Sequence, residues 1–166
     1  MCIRDSLIDC FKSLMPMCLE HNVTLAIENH GGYPGTAAEV KAVVQGVADE
    51  HFVALFDTGN WLGADEDPVK AARELAGMVG PVHVKDMVRL PADTDDPEAH
   101  KPVRASYALK AVNLGEGEVP NAEILQVLKD AGFDSVVTVE AEGAGDETAN
   151  ATAALDYLKG VIAGLK

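Results

Sequence analysis

The stretch that decides the fold is VTLAIENHGG, residues 23–32. Its first half, Val23–Ile27, is a short apolar run that predicts a buried strand. Glu28 follows at the strand end, and a glycine-rich loop comes next. The same order recurs at Phe52–Phe56 with Asp57, at Pro81–Val84 with His83, and at Ser135–Val139 with Glu140. All four predicted strands therefore end in a polar side chain that can bind a metal.

Helical segments separate these strands. Apolar residues recur at helical spacing from Leu7 to His21, with Pro16 predicting a kink. A capping box formed by Thr36 and Glu39 starts the next helix. That helix runs to about Ala48, and others run from Asp67 to near Gly77, from Pro120 to Gly132 and from about Asp146 to Ala163. The polar stretch from about Arg89 to Gly117 carries no predicted strand or helix.

This alternation predicts an α/β fold built from right-handed βαβ units with parallel strands. Four strands and about five helices amount to half of a closed TIM (β/α)8 barrel. Residues 1–6, MCIRDS, match nothing that follows, and we interpret them as a non-native leader. The predicted domain is therefore a partial barrel over residues 7–166.

Composition disfavours several functional classes. The chain has 27 acidic and 13 basic residues and a net charge of −14, whereas nucleic-acid binders present basic surfaces. No apolar run reaches the ~20 residues that a membrane span needs. Cys2, Cys10 and Cys18 lack metal-type spacing, which indicates reduced thiols and a cytoplasmic location. We therefore expect neither a nucleic-acid partner nor a membrane partner.

The four polar strand ends predict a metal site. Parallel strands present their carboxyl ends on one side of a sheet, so these side chains should converge. Three carboxylates and one imidazole suit Mn²⁺, Mg²⁺, Co²⁺ or Zn²⁺. One acidic residue after a strand is usually a helix cap or a solvated loop residue. Several buried carboxylates without a counter-charge would be costly, however, and a divalent cation removes that cost.

The segments around these residues also resemble a known family. They are LAIENHGG (25–32), ALFDTGNW (54–61), VHVKD (82–86) and VTVEAEG (137–143). In this order they resemble the xylose isomerase-like TIM-barrel superfamily, and within it the sugar phosphate isomerase/epimerase group. Residues 114–133, LGEGEVPNAEILQVLKDAGF, resemble that group's connection into its last strand. The resemblance implies that the chain is a C-terminal half, with strands five to eight of the barrel.

The resemblance also implies roles for single residues. It makes Glu28, Asp57, His83 and Glu140 the ligands of a divalent metal (Mn²⁺, Co²⁺, Mg²⁺ or Zn²⁺). Glu28 and Glu140 would also move protons on a small sugar or polyol substrate, in carbohydrate metabolism. Arg89, six residues after His83, matches a substrate-contacting arginine; a surface salt bridge is the alternative interpretation.

Further residues are candidates for substrate binding. His30 and Asn29 follow Glu28 on the glycine-rich loop, so either is a candidate to face the substrate. Lys85 shares a strand face with His83, and Glu142 shares one with Glu140, because strand side chains repeat every two residues. Two positions depart from the epimerases: Asn60 replaces a frequent histidine, and Pro34 replaces a glutamate. The predicted substrate-binding set is His30, Asn60, Lys85, Arg89 and Glu142.

Such a site would act by proton transfer through an enediolate, which leads to isomerisation, epimerisation or dehydration. The ligand set does not choose among these, so an inosose dehydratase-like lyase is an alternative to an isomerase or epimerase. A non-catalytic half-barrel remnant is a second alternative. An apurinic-site endonuclease is disfavoured by the net charge of −14 and only five histidines. An open half-barrel leaves two strand edges exposed, which predicts self-association into homo-oligomers or aggregates and poor activity.

Overall fold

The structure is a computed structural model that describes residues 2–166. Within this range the strands are β1 (Leu25–Glu28), β2 (Phe52–Asp57), β3 (Val79–Val84), β4 (Asp86–Leu90), β5 (Ala108–Val112) and β6 (Val137–Val139). The helices are α1 (Ile3–Glu20), α2 (Ala37–Val47), α3 (Pro68–Leu75), α4 (Asn121–Asp130) and α5 (Glu147–Gly164). Short 3₁₀ helices lie at Asn60–Ala64 and Ala76–Met78.

Four strands form one parallel sheet in the order β1-β2-β3-β6. Asp57 pairs in register with His83, and His83 pairs with Thr138, so the ends of neighbouring strands lie side by side. Among the described residues, β1 and β6 are the two open edges of this sheet. The predicted fold class is confirmed: the chain is an α/β half-barrel with four parallel strands and five α-helices among its described residues.

The core lies between the sheet and the helices. Phe52, Ala54 and Phe56 of β2 are all buried, as are Val40 and Val43 of α2. This pattern is expected where a parallel sheet is covered by crossover helices. No helix within residues 2–166 is long and apolar enough to cross a membrane.

Local capping chemistry fixes where the helices begin. The predicted capping box is present: the Thr36 hydroxyl accepts the Glu39 amide at 3.3 Å, and the Glu39 carboxylate accepts the Thr36 amide at 3.1 Å. Asp67 caps α3 through the amides of Val69 and Lys70. These side chains satisfy amide groups that have no partner inside the helix, which stabilises each helix start.

The edges of some elements differ from the prediction. Helix α1 begins at Ile3 rather than Leu7 and continues through Pro16. That residues 1–6 are a non-native leader stays a prediction, and Met1 lies outside the described residues. Strand β1 begins only at Leu25, because the Val23 amide instead donates to the Cys18 carbonyl at 2.8 Å and closes the end of α1.

The sequence predicted no strand or helix in the polar stretch from Arg89 to Gly117, but the structure has regular structure there. This stretch contributes to an antiparallel hairpin of β4 and β5, inserted between β3 and α4. The physical reason lies in Asp86, which is buried and whose carboxylate accepts four main-chain amides. The donors are Met87, Gly115, Gly117 and Val119, at 2.9–3.0 Å. One carboxylate thereby ties the start of the hairpin to the chain that leaves it.

Candidate metal centre

The four predicted ligands meet at one edge of the sheet. Glu28 ends β1, Asp57 ends β2, His83 lies next to the end of β3, and Glu140 directly follows β6. One ligand atom from each side chain lies within 4.8 Å of the others. The Glu140 amide donates to the carbonyl of Val84 at 2.9 Å, which extends the β6 pairing to this residue. The register of four parallel strands therefore produces the cluster.

Asp57 is the most enclosed of the four. Its side chain is fully buried, and Oδ1 accepts the amides of Gly59 and Asn60 at 2.9 and 2.8 Å. Oδ2 accepts no well-directed hydrogen bond from residues 2–166, although the Lys85 ammonium lies 3.3 Å away. Burial raises the pKa of Asp57 to about 6, and the charge of Lys85 opposes that rise. One oxygen is thus fixed by the main chain while the other faces the cluster.

Two asparagines hold the carboxylates in place. The Asn29 side chain is buried and bonds to both main-chain groups of Asp57: its Oδ1 accepts the amide at 3.0 Å, and its Nδ2 donates to the carbonyl at 3.2 Å. Asn29 is therefore turned inward and does not face the substrate side. The Asn60 Nδ2 donates to Glu28 Oε1 at 3.2 Å, so Asn60 contacts two of the ligands.

His83 and Glu140 are in close contact within the cluster. His83 Nδ1 lies 2.7 Å from Glu140 Oε1. Nδ1 makes no hydrogen bond of acceptable direction to any group in the described chain. Two lone-pair atoms this close repel each other unless a proton or a cation lies near both of them. A metal ion bound to both atoms would remove this repulsion.

Lys85 supplies the positive charge within the cluster. Its ammonium lies 3.3 Å from Asp57 Oδ2, 2.6 Å from Glu140 Oε2 and 3.6 Å from Glu142 Oε2. Burial disfavours the ammonium ion, but the nearby carboxylates outweigh it and raise the pKa of Lys85 above its usual value. Burial likewise works against the Glu140 carboxylate, yet the hydrogen bond from Lys85 outweighs it and keeps the pKa of Glu140 below its usual value.

The residues present suit a divalent cation. The donor atoms are carboxylate oxygens and an imidazole nitrogen, which are the ligands that Mn²⁺, Mg²⁺ and Zn²⁺ accept. Two of those atoms, Asp57 Oδ2 and His83 Nδ1, are buried without a hydrogen-bond partner in residues 2–166. The cluster has three carboxylates, and of these the ammonium of Lys85 beside it contacts only Asp57 and Glu140, so the site keeps an excess of negative charge. A bound cation would satisfy both features.

A cavity of about 410 Å³ opens beside the cluster. Four of the five residues predicted to bind substrate line it: His30, Asn60, Lys85 and Glu142. The structure does not bring Arg89 to this cavity wall. Its guanidinium pairs with Glu118 at 3.0 Å and lies 5.2 Å from the ring centre of Tyr107, so Arg89 takes part in a surface salt bridge.

The sequence analysis missed three residues that line the same cavity: Glu98, His100 and Lys101. They come from the connection between β4 and β5, where His100 exchanges two main-chain hydrogen bonds of 2.8 Å with Leu109. The mostly apolar segment Ala108–Val112 was a signal for β5. Nothing local in the sequence indicated that the preceding polar segment folds back over the site.

A family model described as "Xylose isomerase-like TIM barrel" matches residues 2–161. A search of curated proteins finds no significant match. Among solved structures, the chain resembles a xylose isomerase domain protein from Planctomyces limnophilus, with a TM-score of 0.74 and 22% identity. The match covers 95% of this chain and 51% of that one.

Two further structures have bound metals in their descriptions. One is a xylose isomerase-like TIM barrel protein from Mycobacterium smegmatis in complex with magnesium, with a TM-score of 0.73 and 19% identity over 99% of this chain and 52% of that one. The other is the IOLI protein with a zinc atom, with a TM-score of 0.78 and 18% identity over 99% of this chain and 58% of that one.

An L-ribulose 3-epimerase and a probable 3-DHS dehydratase from Bacillus anthracis also match, at 17% and 19% identity. At these identities the likeness shows the fold alone. This chain spans about half the length of the solved structures that it matches. The family model, by contrast, matches nearly all of the chain. The chain therefore belongs to the xylose isomerase-like TIM-barrel family.

Proposed function

We propose that this chain carries the metal-binding half of a divalent-metal-dependent sugar or sugar-phosphate isomerase/epimerase. The observation that carries the proposal is the meeting of Glu28, Asp57, His83 and Glu140, whose ligand atoms lie within 4.8 Å of one another. These four residues would hold Mn²⁺, Co²⁺, Mg²⁺ or Zn²⁺. When bound, such a cation polarises a substrate carbonyl and makes the neighbouring C–H more acidic.

Glu28 and Glu140 are the groups that we assign to proton transfer. They extend from β1 and β6, the outermost strands of the described sheet, and so reach the cluster from opposite ends. One carboxylate can then take a proton from one face of a substrate carbon while the other returns a proton on the opposite face. The hydrogen bond from Lys85 keeps Glu140 ionised, which suits a proton acceptor.

The lining of the cavity supplies groups for a polyol. His30 and Asn60 offer hydrogen-bond donors and acceptors to substrate hydroxyls, and Glu142 offers an acceptor. Lys85 orients Glu140 at 2.6 Å and borders the same cavity. The substrate that we propose is therefore a small sugar or polyol with a carbonyl group.

Removal of a proton beside the carbonyl is the first step of isomerisation, epimerisation and dehydration alike. The match to a probable 3-DHS dehydratase supports a lyase as the second candidate, of the inosose dehydratase type. Since the matched structures are about twice as long as this chain, we also keep a non-catalytic metal-binding half-barrel as a third candidate. We further propose a cytoplasmic location, in keeping with three free cysteines, and neither a nucleic-acid nor a membrane partner.

Metal analysis tests the site directly. The wild-type protein and the His83→Ala variant are loaded with Mn²⁺, dialysed and measured for bound metal. His21→Ala is the matched control, because His21 is exposed after α1 and away from the cluster. We expect the His83→Ala variant to lose most of its metal and the control to retain it. Unchanged metal content in His83→Ala removes His83 from the site and with it the proposal.

Activity and assembly are tested separately. A panel of ketoses and inososes assayed with Mn²⁺ or Co²⁺ distinguishes an epimerase, which inverts a carbon, from a lyase, which releases water. Because β1 and β6 each have one edge without a neighbouring strand among the described residues, we propose that this chain self-associates through these open edges. Size-exclusion chromatography that shows a stable, well-folded monomer would contradict this.

A further inference from the structure

The connection between β4 and β5 forms a fixed wall of the cavity. We call residues 91–107 of this connection the strap. In its first half, Asp96 and Glu98 are both bound by the ammonium of Lys110 on β5, at 2.9 and 2.8 Å. Lys110 thereby ties this part of the strap to the hairpin, and its single positive charge offsets part of the negative charge of Asp96 and Glu98.

The second half of the strap is held at two more points. His100 pairs with Leu109 of β5 through two main-chain hydrogen bonds of 2.8 Å. The guanidinium of Arg104 binds both carboxylate oxygens of Glu39, at the start of α2, at 2.7 and 3.1 Å. The segment between these points, residues 100–104, is therefore anchored on both sides beside the cavity.

The charged side chains that line the cavity are paired, with one exception. Lys85 is bound by the carboxylates of the metal cluster, and Glu142 lies 3.6 Å from Lys85. Glu98 is bound by Lys110. Lys101 alone has no carboxylate oxygen within 4.0 Å among residues 2–166. The cavity thus contains one cation without a counter-ion.

We propose that Lys101 binds an anionic substituent, a phosphate or a carboxylate, at the end of the substrate that lies away from the metal ligands. His30 and His100 line the same cavity and supply further hydrogen-bond donors. The inference rests on the proposed function, since it assigns the far end of the same substrate.

Electrostatics makes the unpaired lysine informative. With a net charge of −14, the chain as a whole repels anions, so an anion needs a local cation to bind. Apolar side chains, among them Met87, Pro102 and Leu109, also line the cavity. Lys101 is itself exposed, so an anion can reach its ammonium from solvent. A cation at this position favours substrates that carry a negative end group.

Three ligands that share one skeleton test the inference: fructose, fructose 6-phosphate and fructuronate. Their affinities are measured by calorimetry on the Mn²⁺-loaded protein. We expect at least one of the two anionic ligands to bind about tenfold more tightly than fructose, as a charge-assisted hydrogen bond allows. The comparison of fructose 6-phosphate with fructuronate tells which end group the site prefers. Equal affinity for all three ligands, or no binding of any, overturns the inference.

Two lysine variants separate the site from the overall charge. Lys101→Met removes the proposed contact, and Lys70→Met removes one positive charge from the exposed face of α3. We expect the anionic advantage to disappear in Lys101→Met and to persist in Lys70→Met. Loss of the advantage in both variants, or in neither, overturns the inference.

A titration with inorganic phosphate in EDTA separates this inference from the metal proposal. We expect weak phosphate binding by the wild type and by Lys70→Met, and about tenfold weaker binding by Lys101→Met. If the protein binds phosphate through Lys101 in EDTA but takes up no Mn²⁺ when it is loaded without EDTA, the metal site is refuted and the anion site stands. If the protein binds Mn²⁺ but Lys101→Met binds phosphate as tightly as the wild type, the anion site is refuted and the metal site stands.

Discussion

Replacing Lys85 by methionine tests how the carboxylate cluster is balanced. The Lys85 side chain is 5% exposed, and its ammonium contacts Asp57 and Glu140 at 3.3 and 2.6 Å. Methionine keeps much of the aliphatic stem, which packs against Gly59, while the charge is lost. We expect opposite effects in the two states: a less stable protein without metal, and tighter binding of the metal.

The distances set the magnitudes. Removing one member of a buried ion pair costs about 3–5 kcal/mol in stability, because the other member stays buried without a partner. In a domain of this size that corresponds to a melting temperature lower by about 6–20 °C. The positive charge of Lys85 would repel a cation bound at the cluster. If the 4.8 Å span of the ligand atoms is taken as the separation of these two charges, the repulsion is about 3.5 kcal/mol at an effective dielectric constant of about 20. We therefore take a tenfold gain in Mn²⁺ affinity, about 1.4 kcal/mol, as the minimum.

The assay is thermal and urea unfolding in EDTA, followed by calorimetric titration with Mn²⁺. Lys110→Met is the matched control, because Lys110 also binds two carboxylates, at 2.9 and 2.8 Å, but lies on the hairpin and is more exposed. We expect that variant to be nearly as stable as the wild type, because solvent screens its ion pairs, and to bind Mn²⁺ like the wild type. A Lys85→Met protein that is as stable as the wild type in EDTA, or that binds Mn²⁺ more weakly, refutes this reasoning.

Three further predictions concern residues around the site. The Glu39–Arg104 pair holds the pKa of Glu39 at about 2, because hydrogen bonds from Arg104 and the main chain outweigh an opposing effect of burial. This pair stabilises the protein by about 2 kcal/mol after solvent screening, and the stabilisation is present above pH 4.5 and is lost as the pH falls towards 2. In urea unfolding, Arg104→Met should reduce the loss of stability between pH 4.5 and 2. An unchanged loss over this range contradicts the assignment. Asn60→Ala removes the hydrogen bond to Glu28 and should weaken Mn²⁺ binding about tenfold in calorimetry, with the fold unchanged by circular dichroism; equal affinity would make Asn60 dispensable for the ligand. Asp86→Asn weakens the acceptor of four amides and should cost about 3 kcal/mol in urea unfolding, and a loss below about 1 kcal/mol would contradict its anchoring role.

Local signals account for what the sequence predicted well. Each parallel strand is a short apolar run, and the polar residue at its end is visible directly after Ile27, Phe56 and Val139. The start of α2 follows from the spacing of Thr36 and Glu39 alone. Such features depend on neighbours within a few positions, so no knowledge of the tertiary structure was needed to predict the four candidate ligands.

What the sequence did not predict depends on contacts between distant parts of the chain. No sequence motif near Asp86 indicates its hydrogen-bond partners, because three of its four amide donors lie 29–33 positions later in the chain. The inward turn of Asn29 depends on the main chain of Asp57, 28 positions away. Lys101 lines the cavity only because the strap folds back from the hairpin. Polarity alone does not tell whether such residues face solvent, each other or a ligand.

Hydrogen bonds just beyond the strand ends join each pair of neighbouring strands near the cluster. Asn29 joins β1 to Asp57 of β2, and the Thr58 hydroxyl exchanges hydrogen bonds of 3.3 and 3.2 Å with the main chain of Lys85. The Glu140 amide joins β6 to β3. All of these partners lie within this chain, so the described residues already contain what orients the four ligands. The proposed metal binding would therefore need only these residues, whereas the proposed turnover would also need a complete substrate pocket. A chain that fails to bind Mn²⁺ consequently contradicts the geometry more directly than a chain that binds Mn²⁺ but converts no sugar.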